Sequence, residues 1–133
     1  MLVRKISTEF GENAGKIWKI LSEKGKQCED SLKDTTELDA KSFHAAIGWL
    51  ARENKISKDD DQYHLDATNL TEEIGTTAGK VYKILDIWEQ ADIETLVKLA
   101  DTEEHKIYTA LGWLAREDKI DVKQNQEYSL KLE

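Results

Sequence analysis

Gly48-Trp49-Leu50-Ala51-Arg52-Glu53 returns unchanged as Gly112-Trp113-Leu114-Ala115-Arg116-Glu117, 64 positions further on. Upstream, Ala14-Gly15-Lys16-Ile17-Trp18-Lys19-Ile20-Leu21 is matched in the same register by Ala78-Gly79-Lys80-Val81-Tyr82-Lys83-Ile84-Leu85. Lys55-Ile56 corresponds to Lys119-Ile120, and only at Tyr63-His64-Leu65 against Tyr128-Ser129-Leu130 does the offset grow by one residue. Self-similarity at a fixed spacing is the mark of a repeat architecture. The chain is a duplication, with one extra residue expected in the last hairpin of the second copy.

Each copy reads the same way. A first helix is predicted near 14–24, with Ala14, Ile17, Trp18 and Leu21 on one stripe, and its counterpart carries Ala78, Val81, Tyr82, Leu85 and Trp88. This is the i, i+3, i+4, i+7 pattern of an amphipathic helix. Asn13 and Thr77 stand where an N-cap belongs. A short second helix follows, clear at Ile93, Leu96, Val97 and Ala100 and weaker around Leu32, Thr35, Thr36 and Leu38. A third helix is predicted near 40–54 and 103–118, burying Phe43, Ala46, Ile47 and Leu50 in one copy and Ile107, Ala110, Leu111 and Leu114 in the other. Then comes a hairpin: Ile56, polar Lys58 to Gln62, Tyr63 and Leu65, and later Ile120, Val122, Tyr128, Leu130 and Leu132, alternating as half-buried strands do.

Three helices and a β-hairpin give a mainly α chain with small β-hairpins (α+β), organised as two tandem winged helix-turn-helix domains. The expected domains are 9–66 and 73–133, joined by the short segment Asp66 to Glu73. Units of about 60 residues bury too little surface to be robust alone, so the two are expected to pack on each other. The signature at 14–18 and 48–56, repeated at 78–82 and 112–120, resembles a prokaryotic winged helix-turn-helix domain family of unknown function. The likeness covers nearly all of the chain beyond its first eight residues. It implies the winged helix fold and brings no agreed activity and no validated site residues. Members of that family usually have one unit, so the tandem form is a departure.

Hydrophobic residues make up 39% and charged residues 35% of the chain, a globular balance. The net charge is −8. Up to Asp66 there are 11 basic and 13 acidic residues, and beyond it 8 and 14, so the halves carry −2 and −6. A phosphate-binding protein normally shows a basic surplus or a basic face; no surplus is present. Cys28 is the only cysteine, which leaves no intrachain disulfide and suits a reducing compartment. Met1 to Phe10 has no long apolar run, so neither a signal peptide nor a membrane anchor is expected there, and the expected location is the cytoplasm.

The recurring residues have structural and functional readings side by side. Gly15 and Gly48, with Gly79 and Gly112, would let the first and third helices approach closely, with Trp49 and Trp113 beside them; the alternative is a notch on the third helix for a partner's side chain. Arg52 and Arg116, in the last turn of the third helix, complement its dipole and can pair with nearby acids, or touch a phosphate or a partner. Lys16 and Lys19, like Lys80 and Lys83, form a basic edge on the first helix. A DNA-reading winged helix lays the start of its third helix in the major groove. Here that stretch offers Asp39, Lys41, Ser42, His44 and Ala45, then Glu103, Glu104, His105, Lys106, Tyr108 and Thr109. The first wing tip, Asp59-Asp60-Asp61, would repel phosphate. Candidate contacts to a partner or to DNA are therefore Lys16, Lys19, Lys41, His44, Arg52, Lys106 and Arg116.

His44, His64 and His105 fall at unlike repeat positions and make no spaced set with Cys28, so no zinc site is expected. The triple Asp lacks the glycine and closing glutamate of a calcium loop, and there is no glycine-rich phosphate loop or nucleophile elbow. No cofactor and no catalysis are expected, and Cys28 reads as a packing residue. The function expected is a protein–protein adaptor. The alternative is a DNA-binding transcriptional regulator that uses Lys16, Lys19, Lys41 and Arg52 of the less acidic first unit.

Overall fold

A computed structural model describes residues 6–123 and 126–131; the expected inward position of Leu132 lies outside them. The first repeat runs α1 (Ile6–Lys24), β1 (Gln27–Cys28), α2 (Glu29–Thr36), α3 (Ala40–Arg52), β2 (Ile56–Asp59) and β3 (Gln62–Leu65). The second repeats it as α4 (Thr71–Trp88), β4 (Gln90–Ala91), α5 (Ile93–Ala100), α6 (Glu104–Arg116), β5 (Ile120–Val122) and β6 (Tyr128–Leu130). Each repeat closes an antiparallel three-stranded sheet, in the order β1-β3-β2 and β4-β6-β5. Tandem winged helix units are thus present, each with a leading strand that pairs to the wing.

Local chemistry explains several boundaries. Asp39 caps α3 by accepting the Ser42 N–H at 2.8 Å, and Asp92 caps α5 by accepting from Thr95 at 2.9 Å. Both third helices stop identically. Asn54 and Asp118 turn left-handed, at φ of 61° and 58°. Their N–H groups donate to the Ala51 and Ala115 carbonyls, and the next residues, Lys55 and Lys119, donate to Leu50 and Leu114. That pairing is the Schellman arrangement, which satisfies carbonyls the helix would otherwise leave open.

The first helices differ from expectation. They begin earlier, so Asn13 and Thr77 lie inside α1 and α4 instead of capping them. The true start of α4 has no side-chain cap, with Leu70 at the cap position, and is marked only by Glu72 and Glu73 in its first turn. Trp18, Tyr82 and Trp88 are exposed, because the buried stripe is narrower than the apolar pattern and consists of Ala14, Ile17 and Leu21, then Ala78, Val81 and Leu85.

The described residues form two hydrophobic cores, and each borrows from the other repeat. Phe10 of α1 and Ala45 of α3 belong to the core of the second unit, while Ile74 of α4 belongs to that of the first. Trp49 and Trp113 lie against both. The two units therefore interlock.

Candidate functional site

The centre of the molecule is the crossing of α3 and α6. A Cβ placed on Gly48 would sit 1.8 Å from the Thr109 carbonyl oxygen, and one on Gly112 would sit 1.8 Å from that of Ala45. Only glycine allows backbones so close. The third helix meets the third helix here, where the first and third were expected to approach. Gly15 and Gly79 have nothing within 4 Å of an added Cβ, so they serve no close approach.

Beside the crossing, the last turns exchange ion pairs. Arg52 Nε donates to Glu117 Oε2 at 3.0 Å, and Arg116 Nε to Glu53 Oε2 at 3.1 Å. Each guanidinium also lies over the opposite repeat's tryptophan, Arg52 at 5.6 Å from the Trp113 ring centre and Arg116 at 5.7 Å from that of Trp49. The Gly, Trp, Arg and Glu of the duplicated segment meet across the two units, while its Leu and Ala pack in each unit's own core.

This placement decides what the third helix can offer. Along α3, Phe43, Ala46, Ile47 and Leu50 fill their own core, as read from the sequence, and Ala45 and Gly48 are buried against α6. His44 is buried too, with its ring 5.2 Å from that of His105. The two histidines stand at unlike repeat positions, and the near-twofold crossing brings them together. No group of three metal-binding side chains occurs among the described residues. Lys41 and Lys106 are half-exposed at the starts of α3 and α6, and Lys16 and Lys19 are exposed on α1. The candidate cations thus fall on separate elements: α1, the helix starts and the paired last turns.

The histidine environment is unusual for a side chain at a surface cleft. Burial holds the His44 imidazole well below its ordinary range, at about 4, against the opposing pull of Glu29, whose carboxylate is 3.9 Å away. Burial likewise raises the Tyr63 and Tyr128 hydroxyls. At the wing tip, His64 Nε2 meets Asp59 Oδ2 at 2.6 Å, and Asp60 and Asp61 are exposed.

A family model described as winged helix-turn-helix domain (DUF2582) matches twice, over residues 4–69 and 70–132. The chain belongs to this family. An uncharacterized protein of Methanocaldococcus jannaschii is 40% identical over 62 residues, which is 44% of this chain and 89% of that protein. The matched span is about the length of one of the two DUF2582 units of this chain. No solved structure matches the chain.

The DUF2582 units differ on their outer surfaces. Ile87 is 76% and Trp88 56% exposed at the end of α4, and Leu99 is exposed on α5. The equivalent residues of the first unit are Glu23, Lys24 and Thr35. Acidic Asp86 and Glu89 flank the apolar pair in sequence. No helix among the described residues is long and apolar enough to cross a membrane.

Proposed function

We propose that this protein is a non-enzymatic adaptor that docks onto another protein through the outer surface of its second unit. One observation carries the reading: the helices that a DNA-reading winged helix inserts into the major groove are used here to hold the two units together. With its second face against α6, α3 buries Phe43 to Gly48, Leu50 and Ala51 and leaves mainly its two ends to solvent. Arg52 at its end is engaged with Glu117, as Arg116 at the end of α6 is with Glu53, and the wing presents Asp60 and Asp61.

The docking face is the end of α4, where Ile87 and Trp88 stand in solvent. Exposed large apolar side chains with polar neighbours are typical of interaction sites. The second half carries −6, which suits a partner segment with apolar anchors and a basic flank.

Fluorescence anisotropy with duplex DNA at rising salt tests the reading. The expected result is no binding even at low salt. Nanomolar to micromolar affinity with a steep fall against log salt would overturn it. On the protein side, an Ile87→Glu, Trp88→Glu variant is expected to keep the fold and lose the partner recovered by the wild type after cross-linking.

A further inference from the structure

The near-twofold arrangement presents the same inter-unit position twice, and the two versions have diverged. On one side Phe10, Ile93, Tyr108 and Val122 meet the second core and fill the space. On the other, the equivalent residues are Ile74, Glu29, His44 and Lys58, and they line an open cleft of about 120 Å³. One large ring has become an aliphatic side chain, and three apolar or aromatic positions have become titratable ones.

Two further observations point to a ligand. His44 is 8% exposed, yet its imidazole makes no hydrogen bond among the described residues; its nearest charged neighbour is Glu29 at 3.9 Å. No buried side-chain nitrogen or oxygen among the described residues lacks a partner, so the His44 ring nitrogens are reached from the cleft it lines, where a bound molecule can meet them. The charges around the cleft also balance. Glu29, whose carboxylate also pairs with Lys33 at 2.8 Å, and Glu73 line it together with Lys58 and Lys106, alongside Ile47 and Ile74.

We propose that this cleft binds a small zwitterion of amino-acid size with a compact apolar side chain. The ammonium group would meet the carboxylates, the carboxylate would meet Lys58 and Lys106, and His44 would hydrogen-bond either end. A cavity of about 150 Å³ accommodates a benzene-sized molecule, so the cleft of about 120 Å³ takes in a small aliphatic side chain and leaves the charged end of the ligand at its open edge. The site is independent of the proposed docking face at the end of α4.

The test is calorimetric titration of the intact protein with the standard α-amino acids, together with amide chemical-shift mapping. Binding of at least one aliphatic amino acid at one-to-one stoichiometry is expected, with shifts centred on the residues that line the cleft. Ile74→Phe and His44→Tyr install the side chains that already fill the equivalent position, so the fold has a precedent for them. They are expected to weaken binding about tenfold or more without lowering the unfolding temperature. Lys58→Val, which likewise copies the filled side, is expected to weaken binding similarly. No binding by any amino acid, shifts centred elsewhere, or undiminished affinity in all three variants would overturn the proposal.

Discussion

His44 shows at the residue scale how an unremarkable sequence position becomes consequential. Burial keeps its imidazole neutral until about pH 4, whereas in the unfolded chain it takes up a proton near pH 6.5. The unfolded state therefore binds more protons between these values, and the folded state loses stability as pH falls through that window. Above pH 6.5 the contribution is fully present. One proton bound preferentially by the unfolded chain costs about 2 kcal/mol by pH 5. Denaturant unfolding at pH 7.5 and pH 5 checks this: the wild type should lose roughly that amount, and His44→Leu distinctly less. None of this was legible in the sequence. His44 reads as a polar residue at the exposed start of a helix, and its burial depends on His105 and α6, far away along the chain.

Among the secondary-structure elements, the decisive fact is that α3 and α6 touch backbone to backbone. Gly48→Ala or Gly112→Ala must push the helices apart, and each is expected to cost more than about 3 kcal/mol or prevent folding. Gly15→Ala and Gly79→Ala meet open space and should instead raise stability by up to about 1 kcal/mol each. Urea denaturation of the four variants separates these outcomes, and equal effects would contradict the close crossing. The helices were legible because their apolar spacing is regular. Their first turns were not, because Leu70 supplies no capping side chain at the start of α4 and Asn13 and Thr77 imitate caps farther on. Strands β1 and β4 were missed for a different reason: two residues cannot display an alternating pattern. The recurring hexapeptide was legible as a packing segment. Its partner was hidden, since a motif repeated in both halves does not reveal that it pairs with itself.

For the whole molecule, the exchange of Phe10 and Ile74 between cores means that neither unit is complete without the other. Unfolding is therefore expected as one transition, with calorimetric and van't Hoff enthalpies equal. Two separable transitions would show that the units stand alone. The unequal charges of the halves were visible from composition, but the cleft was not, because it arises where four positions from both repeats converge. The short tether between Leu65 and Thr71 has a consequence of its own. Two separate copies of a unit would come apart on dilution, and any substitution in one would appear in both. A tether makes the pairing intramolecular, held at high effective concentration however scarce the protein is. It also releases the halves from identity, so that one symmetry-related niche could be sealed with Phe10 and Tyr108 while its twin was left open.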